Sequence, residues 1–153
     1  MVNQVLRDGP GAMVERLRQS ITKRDLDALT LCFAVDYVNE TPLHPSRGFQ
    51  GRAQVRRNWE QILAGVPDIT AEVVRCTTDE DTAWSEWKLS GTRRDGSAFE
   101  MRGVAIFGVV GDEAAWCRFY LEPVDARGDD INSATRQQVT GASGPARERN
   151  VSA

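Results

Sequence analysis

The sequence has few of the residues that build metal centres. It contains one histidine, His44, and three widely separated cysteines, Cys32, Cys76 and Cys117. No two cysteines stand at the close spacing of a zinc motif, and His44 has no histidine partner, so we expect no metal and no tightly bound cofactor. The odd number of cysteines and their apolar surroundings favour reduced core thiols, as in a cytoplasmic protein.

The chain also lacks a large excess of charge of either sign. Its 19 lysine and arginine residues oppose 22 aspartate and glutamate residues, for a net charge of −3. A nucleic-acid-binding domain concentrates positive charge, so we expect no nucleic-acid partner. No run of residues has the apolar length of a membrane span, and residues 1–11 lack the apolar core of a signal peptide. We therefore expect a cytoplasmic protein with no membrane partner.

Helical periodicity is present in the first half of the chain. Apolar residues recur at helical spacing in Ala12–Lys23 and again in residues 26–33, where Asp25 can cap the helix. A third helix should begin at Gly51-Arg52 and stop at Gly65. We expect a loose lead-in at residues 1–11, one domain at 12–125 and a polar tail at 126–153. The tail should hold a short helix at Ile131–Val139 and disorder at Ser143–Ala153.

Alternation of apolar and charged residues marks the second half. It runs through Thr82–Ser90, Ser97–Val109 and Ala114–Val124, and predicts three long antiparallel strands with one apolar face. Shorter strands are expected at Asp36–Thr41 and Thr70–Cys76, with a turn at residues 77–81. Together the elements predict an α+β domain with helices on one side of a strongly curved sheet. The apolar parity contains Trp87, Leu89, Met101, Ala105, Phe107, Phe119 and Leu121.

Short motifs within residues 12–125 resemble those of a known family. The run Arg24-Asp25-Leu26-Asp27-Ala28-Leu29, the segment Phe33–Val38 and the segment Trp116–Tyr120 are similar to the SnoaL-like branch of the nuclear-transport-factor-2-like, or ketosteroid isomerase-like, superfamily. The resemblance implies a cone-shaped α+β fold, in which a mainly antiparallel sheet wraps around three N-terminal helices and encloses an apolar pocket. It also implies a homodimer formed through the outer face of the sheet. Members include isomerases, polyketide cyclases, epoxide hydrolases and non-catalytic binders, so the fold does not select a reaction.

The acids of the family's reactions are missing from the matching positions. The isomerase tyrosine falls on Leu17, the base on Thr41 and the second aspartate on Ala105. The hydrolase and cyclase positions also carry no acid. They are Trp87, Leu89 and Phe119 for the hydrolases, and residues 103–107 for the cyclases.

Polar residues around the first strand supply the remaining candidates. Tyr37, Asn39 and Thr41 share one parity and are candidates to hydrogen-bond a carbonyl or hydroxyl group of a ligand. The alternative for Tyr37 is a core aromatic whose hydroxyl is satisfied locally. His44, on the following loop, and Glu40, on the opposite parity, are the candidate proton-transfer groups. For His44 the alternative is an exposed loop residue with no role.

Aromatic and apolar residues complete the predicted pocket. The candidate ligand contacts among them are Trp59, Trp87, Met101, Phe107 and Phe119, and packing in the core or a dimer is the alternative for the tryptophans. We expect the pocket to hold a small, largely apolar molecule that is polyketide-, terpenoid- or steroid-like. Arg47 or Arg52 binding an anionic ligand is a further alternative. Two functions stay open: an isomerase, cyclase or hydratase, and a non-catalytic binding or interaction module.

Overall fold

The computed structural model describes residues 9–141 of the chain. Helices and strands follow one another as the sequence predicts, and the α+β class and the curved, mainly antiparallel sheet are confirmed. The helices are α1 (Pro10–Thr22), α2 (Leu26–Leu31), α3 (Arg52–Gly65) and α4 (Ile131–Thr140). The strands are β1 (Phe33–Glu40), β2 (Phe49–Gln50), β3 (Thr70–Asp79), β4 (Thr82–Thr92), β5 (Ala98–Val110), β6 (Glu113–Phe119) and β7 (Glu122–Pro123).

The first two helices are set by local sequence signals. α1 begins at Pro10, two residues before the predicted start, because proline is well suited to the first position of a helix. The predicted lead-in is therefore wrong at Pro10 and Gly11, and residues 1–8 lie outside the described chain. The Asp25 carboxylate caps α2 by accepting a hydrogen bond of 3.0 Å from the Ala28 amide. Phe33, predicted on this helix, instead begins β1, where it pairs with Ala114 of β6.

The seven strands form one sheet in the order β2-β1-β6-β5-β4-β3, with β7 paired to β5. β1 runs parallel to β6, and all other neighbours are antiparallel. Alternation along the long strands sorts the side chains as predicted: Trp87 and Phe107 are buried, whereas Glu86 and Arg102 are exposed. The inner face of the sheet packs on the apolar stripe of α1, and none of the helices in the described range 9–141 is long and apolar enough to span a membrane.

Three predicted details of the strands are wrong. β3 continues to Asp79, so the turn before β4 is only two residues long. The last long strand is divided into β6 and β7, because Gly103 of β5 adopts a φ of +151° and its Cα lies against the Tyr120 backbone, where any Cβ would collide. Cys76 is exposed rather than in the core, since it lies on the edge strand β3.

The C-terminal helix α4 lies close to its predicted position. The Asp130 side chain accepts a 2.9 Å hydrogen bond from the Ser133 amide and caps the helix. Gly141, in the left-handed conformation, follows the last turn. The predicted disorder at Ser143–Ala153 falls outside the described residues.

Candidate functional site

A cavity of about 330 Å³ lies between the helices and the inner face of the sheet. Residues of α1 and α3 form one side, and residues of β1, β4, β5 and β6 form the other. Its size lies at the lower end of the range typical of small-molecule sites. Most of the lining side chains are apolar or aromatic, as the inward parity of the strands predicts.

All eight residues predicted as ligand contacts line this cavity. They are Tyr37, Asn39, Thr41, Trp59, Trp87, Met101, Phe107 and Phe119. The structure therefore brings together residues from five elements, β1, α3, β4, β5 and β6, that are far apart in sequence. Their role in ligand contact stays a prediction.

Three polar side chains of β1 and its end form a hydrogen-bonded chain along one wall. The Tyr37 hydroxyl donates to Asn39 Oδ1 at 2.8 Å, and Asn39 Nδ2 donates to Thr41 Oγ1 at 3.2 Å. The three residues are 2%, 8% and 8% exposed, so the contacts are shielded from water. The Tyr37 hydroxyl proton is thus used within the protein and is not offered to a ligand. The Thr41 hydroxyl proton has no acceptor recorded among residues 9–141, which leaves it free to donate to a bound molecule.

Burial keeps the Tyr37 hydroxyl and the Cys117 thiol beside it neutral. It raises the pKa of the Tyr37 hydroxyl well above its ordinary value, and it raises the pKa of the Cys117 thiol to about 12. A nucleophilic cysteine needs the opposite shift, toward the thiolate. Neither group is therefore suited to act as a base or nucleophile at neutral pH.

Trp87, in the opposite wall, is held by Ser85, which the sequence did not mark as a candidate site residue. Its indole Nε1 donates to Ser85 Oγ at 2.8 Å, and Ser85 Oγ donates to the Ala105 carbonyl at 2.7 Å. Ser85 is only 1% exposed. A serine on the apolar parity of β4 was the available signal, because a buried hydroxyl needs local partners.

The cavity mouth carries a cluster of charged and titratable side chains. His44 Nε2 lies 2.7 Å from Glu122 Oε1, and Arg47 Nη1 lies 4.0 Å from the same oxygen. Arg47 lines the cavity, whereas His44 and Glu122 lie beside it. The His44 amide donates to the Thr41 carbonyl at 2.9 Å, so a tight turn joins this cluster to the polar wall.

Glu40, the other predicted proton-transfer group, lies on the outer face of the sheet. Its carboxylate accepts a 2.8 Å hydrogen bond from Arg118 Nη1, and it does not line the cavity. This placement follows from alternation, since Asn39 points inward.

The positions matched to the family's catalytic residues do reach the cavity. Leu17, Thr41 and Ala105 all line it, as do the residues at the hydrolase positions. Among the described residues, the cavity lining holds no aspartate or glutamate, and Arg47 is its one charged side chain. Within the same range, no group of three or more His, Cys, Asp or Glu side chains is placed to hold a metal ion.

Comparisons with known proteins agree with this architecture. A family model described as a SnoaL-like domain matches residues 14–119. No curated protein sequence matches the chain.

Several solved structures share the fold. IdmH from Streptomyces antibioticus, proposed to be a polyketide cyclase, has a TM-score of 0.65 and 20% identity, over 74% of this chain and 91% of that chain. AclR from Streptomyces galilaeus, proposed to be a hydroxylase, has a TM-score of 0.65 and 15% identity, over 74% and 88%. A protein from Kribbella flavida, proposed to be a ketosteroid isomerase, has a TM-score of 0.61 and 21% identity, over 79% and 82%. At these identities the likeness concerns the fold alone.

Proposed function

This chain belongs to the SnoaL-like domain family of the nuclear-transport-factor-2-like superfamily, and from that premise we propose that it binds a small, largely apolar organic molecule in its cavity. The molecule is polyketide-, terpenoid- or steroid-like. The observation that carries the proposal is the largely apolar lining of the cavity, interrupted by one wall of neutral polar groups. Such a site gains free energy by burying apolar ligand surface, at roughly 25 cal/mol per Å².

The polar wall supplies orientation. Because the Tyr37 hydroxyl donates to Asn39, the Asn39 amide donates to Thr41 and the Thr41 hydroxyl keeps a free proton, the wall offers a ligand one hydroxyl donor. A ketone or ester oxygen is the natural acceptor for this donor. The bound molecule therefore carries a carbonyl group at the end of the cavity nearest Thr41.

Binding of an uncharged bicyclic ketone, 2-acetylnaphthalene, tests the proposal. Titration calorimetry should detect binding, and the fluorescence of Trp59 and Trp87 should change because both line the cavity. Ala105→Leu places extra atoms in the cavity and should weaken binding at least fivefold. Ala53→Leu, at an exposed position of α3, is the matched control and should bind like the wild type. Equal binding by both variants would place the ligand outside the cavity.

Acid–base catalysis on such a carbonyl compound is the second candidate, and one observation favours it. The 2.7 Å contact with Glu122 can orient the His44 imidazole, as a carboxylate orients a catalytic histidine. This proposal rests on His44 and not on Glu40, whose carboxylate is paired on the outer face. Turnover of a carbonyl substrate that disappears in His44→Gln, with binding retained, would favour the enzyme. Binding without turnover favours the non-catalytic module.

The outer face of the sheet supports the proposal of a homodimer. Trp84 and Trp116 are 50% and 38% exposed there, and Val38 pairs with Trp116 across neighbouring strands. Large exposed apolar side chains of this kind are typical of interaction surfaces. Sedimentation of the wild type should give twice the chain mass, and Trp84→Lys with Trp116→Lys should give the monomer.

A further inference from the structure

Arg47 stands out in the cavity because every other lining side chain among the described residues is uncharged. Building on the proposed function, we propose that the ligand is an amphipathic organic acid whose carboxylate binds Arg47 at the cavity mouth. Its apolar body then occupies the interior. A lone guanidinium at the opening of an apolar site provides both charge and directed N–H donors for a carboxylate.

The Glu122 carboxylate, the nearest acidic group, does not form a close ion pair with Arg47. Glu122 Oε1 is 4.0 Å from Arg47 Nη1, at the outer limit of an ion pair, and no other carboxylate is recorded beside Arg47 within residues 9–141. The same oxygen lies 2.7 Å from His44 Nε2, much closer than it lies to the guanidinium. Glu122 is thus held by His44, and the Arg47 side chain stays 61% exposed and accessible to a ligand.

Thr41 lies at the same end of the cavity as Arg47. The Thr41 carbonyl accepts from the His44 amide, and the His44 carbonyl accepts from the Arg47 amide, each at 2.9 Å. Two consecutive turns therefore join the end of the polar wall to the cation. The Thr41 hydroxyl is a second donor suited to the carboxylate or to an adjacent carbonyl oxygen.

His44 acts in this arrangement as a positioning residue. It keeps the Glu122 carboxylate engaged, so that Glu122 does not compete with the ligand for Arg47. Without the imidazole, the Glu122 carboxylate is free to move toward the guanidinium. The acid should then bind less well although no ligand contact has been removed.

A matched pair of probes isolates the charge. 2-Naphthoate and 2-acetylnaphthalene have nearly the same shape, but only the first is an anion at pH 8. In calorimetry at low salt, the wild type should bind 2-naphthoate about fivefold more tightly than the ketone, a modest preference because Arg47 is partly exposed. Raising the salt concentration should reduce this ratio of the affinity for 2-naphthoate to the affinity for the ketone. Arg47→Gln should bring the ratio to about one, whereas Arg56→Gln, on α3 and paired with Asp27, should leave it at its wild-type value.

The role of His44 is tested by rescue. His44→Ala should reduce the ratio, and the double variant His44→Ala with Glu122→Gln should restore it, because the competing charge is gone. A loss caused only by damaged structure would not be rescued. A ratio near one in the wild type, or one that is unchanged in Arg47→Gln, overturns the inference while ketone binding still supports the proposed function. If neither probe binds, both the proposed function and the inference about Arg47 are overturned. If only 2-naphthoate binds and its binding depends on Arg47, the anion site is supported.

Discussion

Removal of the Tyr37 hydroxyl should destabilise the fold by about 2 kcal/mol. Tyr37 is 2% exposed, and its hydroxyl donates to Asn39 Oδ1 at 2.8 Å. In Tyr37→Phe the ring packing is retained, but the Asn39 oxygen loses its donor inside a wall that is shielded from water. Leaving a buried acceptor without a partner costs about 1–3 kcal/mol. For a chain of this length, a loss of 2 kcal/mol corresponds to a fall in Tm of about 4–8 °C.

Urea unfolding followed by circular dichroism gives the free energy of unfolding, and Tyr120→Phe is the control. Tyr120 is only partly buried, so its variant should stay within about 0.5 kcal/mol of the wild type. An Asn39→Leu background removes the orphaned acceptor. In that background, Tyr37→Phe should cost about 1 kcal/mol less than in the wild type. Equal costs in both backgrounds would refute the hydrogen-bonded wall as the source of the effect.

Three further predictions concern other parts of the fold. Gly103→Ala should lower the free energy of unfolding by about 3 kcal/mol or more, because the added Cβ meets the Tyr120 backbone; urea unfolding checks this, and a neutral effect would contradict the described approach of the two strands. Above pH 9, burial of the Cys117 thiol should make stability fall by about 1.4 kcal/mol per pH unit until its folded-state pKa of about 12, since the unfolded chain releases this proton first. Cys117→Ala should remove this contribution and leave the part of the slope that comes from the buried Tyr37 hydroxyl, and an unchanged slope would assign the whole of it to other groups. In the native state a thiol reagent should label Cys76 quickly and Cys32 and Cys117 slowly, as mass spectrometry of the labelled peptides can show; rapid labelling of Cys117 would contradict its burial.

The sequence predicts the lining of the cavity well because a local rule controls it. Alternation along a strand assigns each side chain to a face, and it placed Trp87, Met101, Phe107 and Phe119 on the cavity side. The start of α2 followed in the same way from its capping residue Asp25, and the end of α3 from Gly65. These signals lie within a few residues of the structure that they determine.

Contacts between distant segments were beyond this reasoning. His44 and Glu122 meet only because a loop after β1 and the short strand β7 converge at the cavity mouth. Likewise, the apolar neighbours of Cys76 do not reveal that β3 is an edge strand. The break after Phe119 depends on how Gly103, on the neighbouring strand β5, approaches the chain. Each of these features requires the register of the whole sheet.

The parallel pairing of β1 with β6 has a consequence for how the protein folds. The hairpins β3-β4 and β4-β5 join segments that are adjacent in sequence and can form early. β1, in contrast, finds its long partner only when residues such as Val38 and Trp116, 78 positions apart, are brought together. Contacts of such long range are slow to form because the intervening chain must first be ordered. We therefore expect the strand that carries the polar wall to join the sheet late, so that the ability to bind a ligand in the cavity marks the last stage of folding.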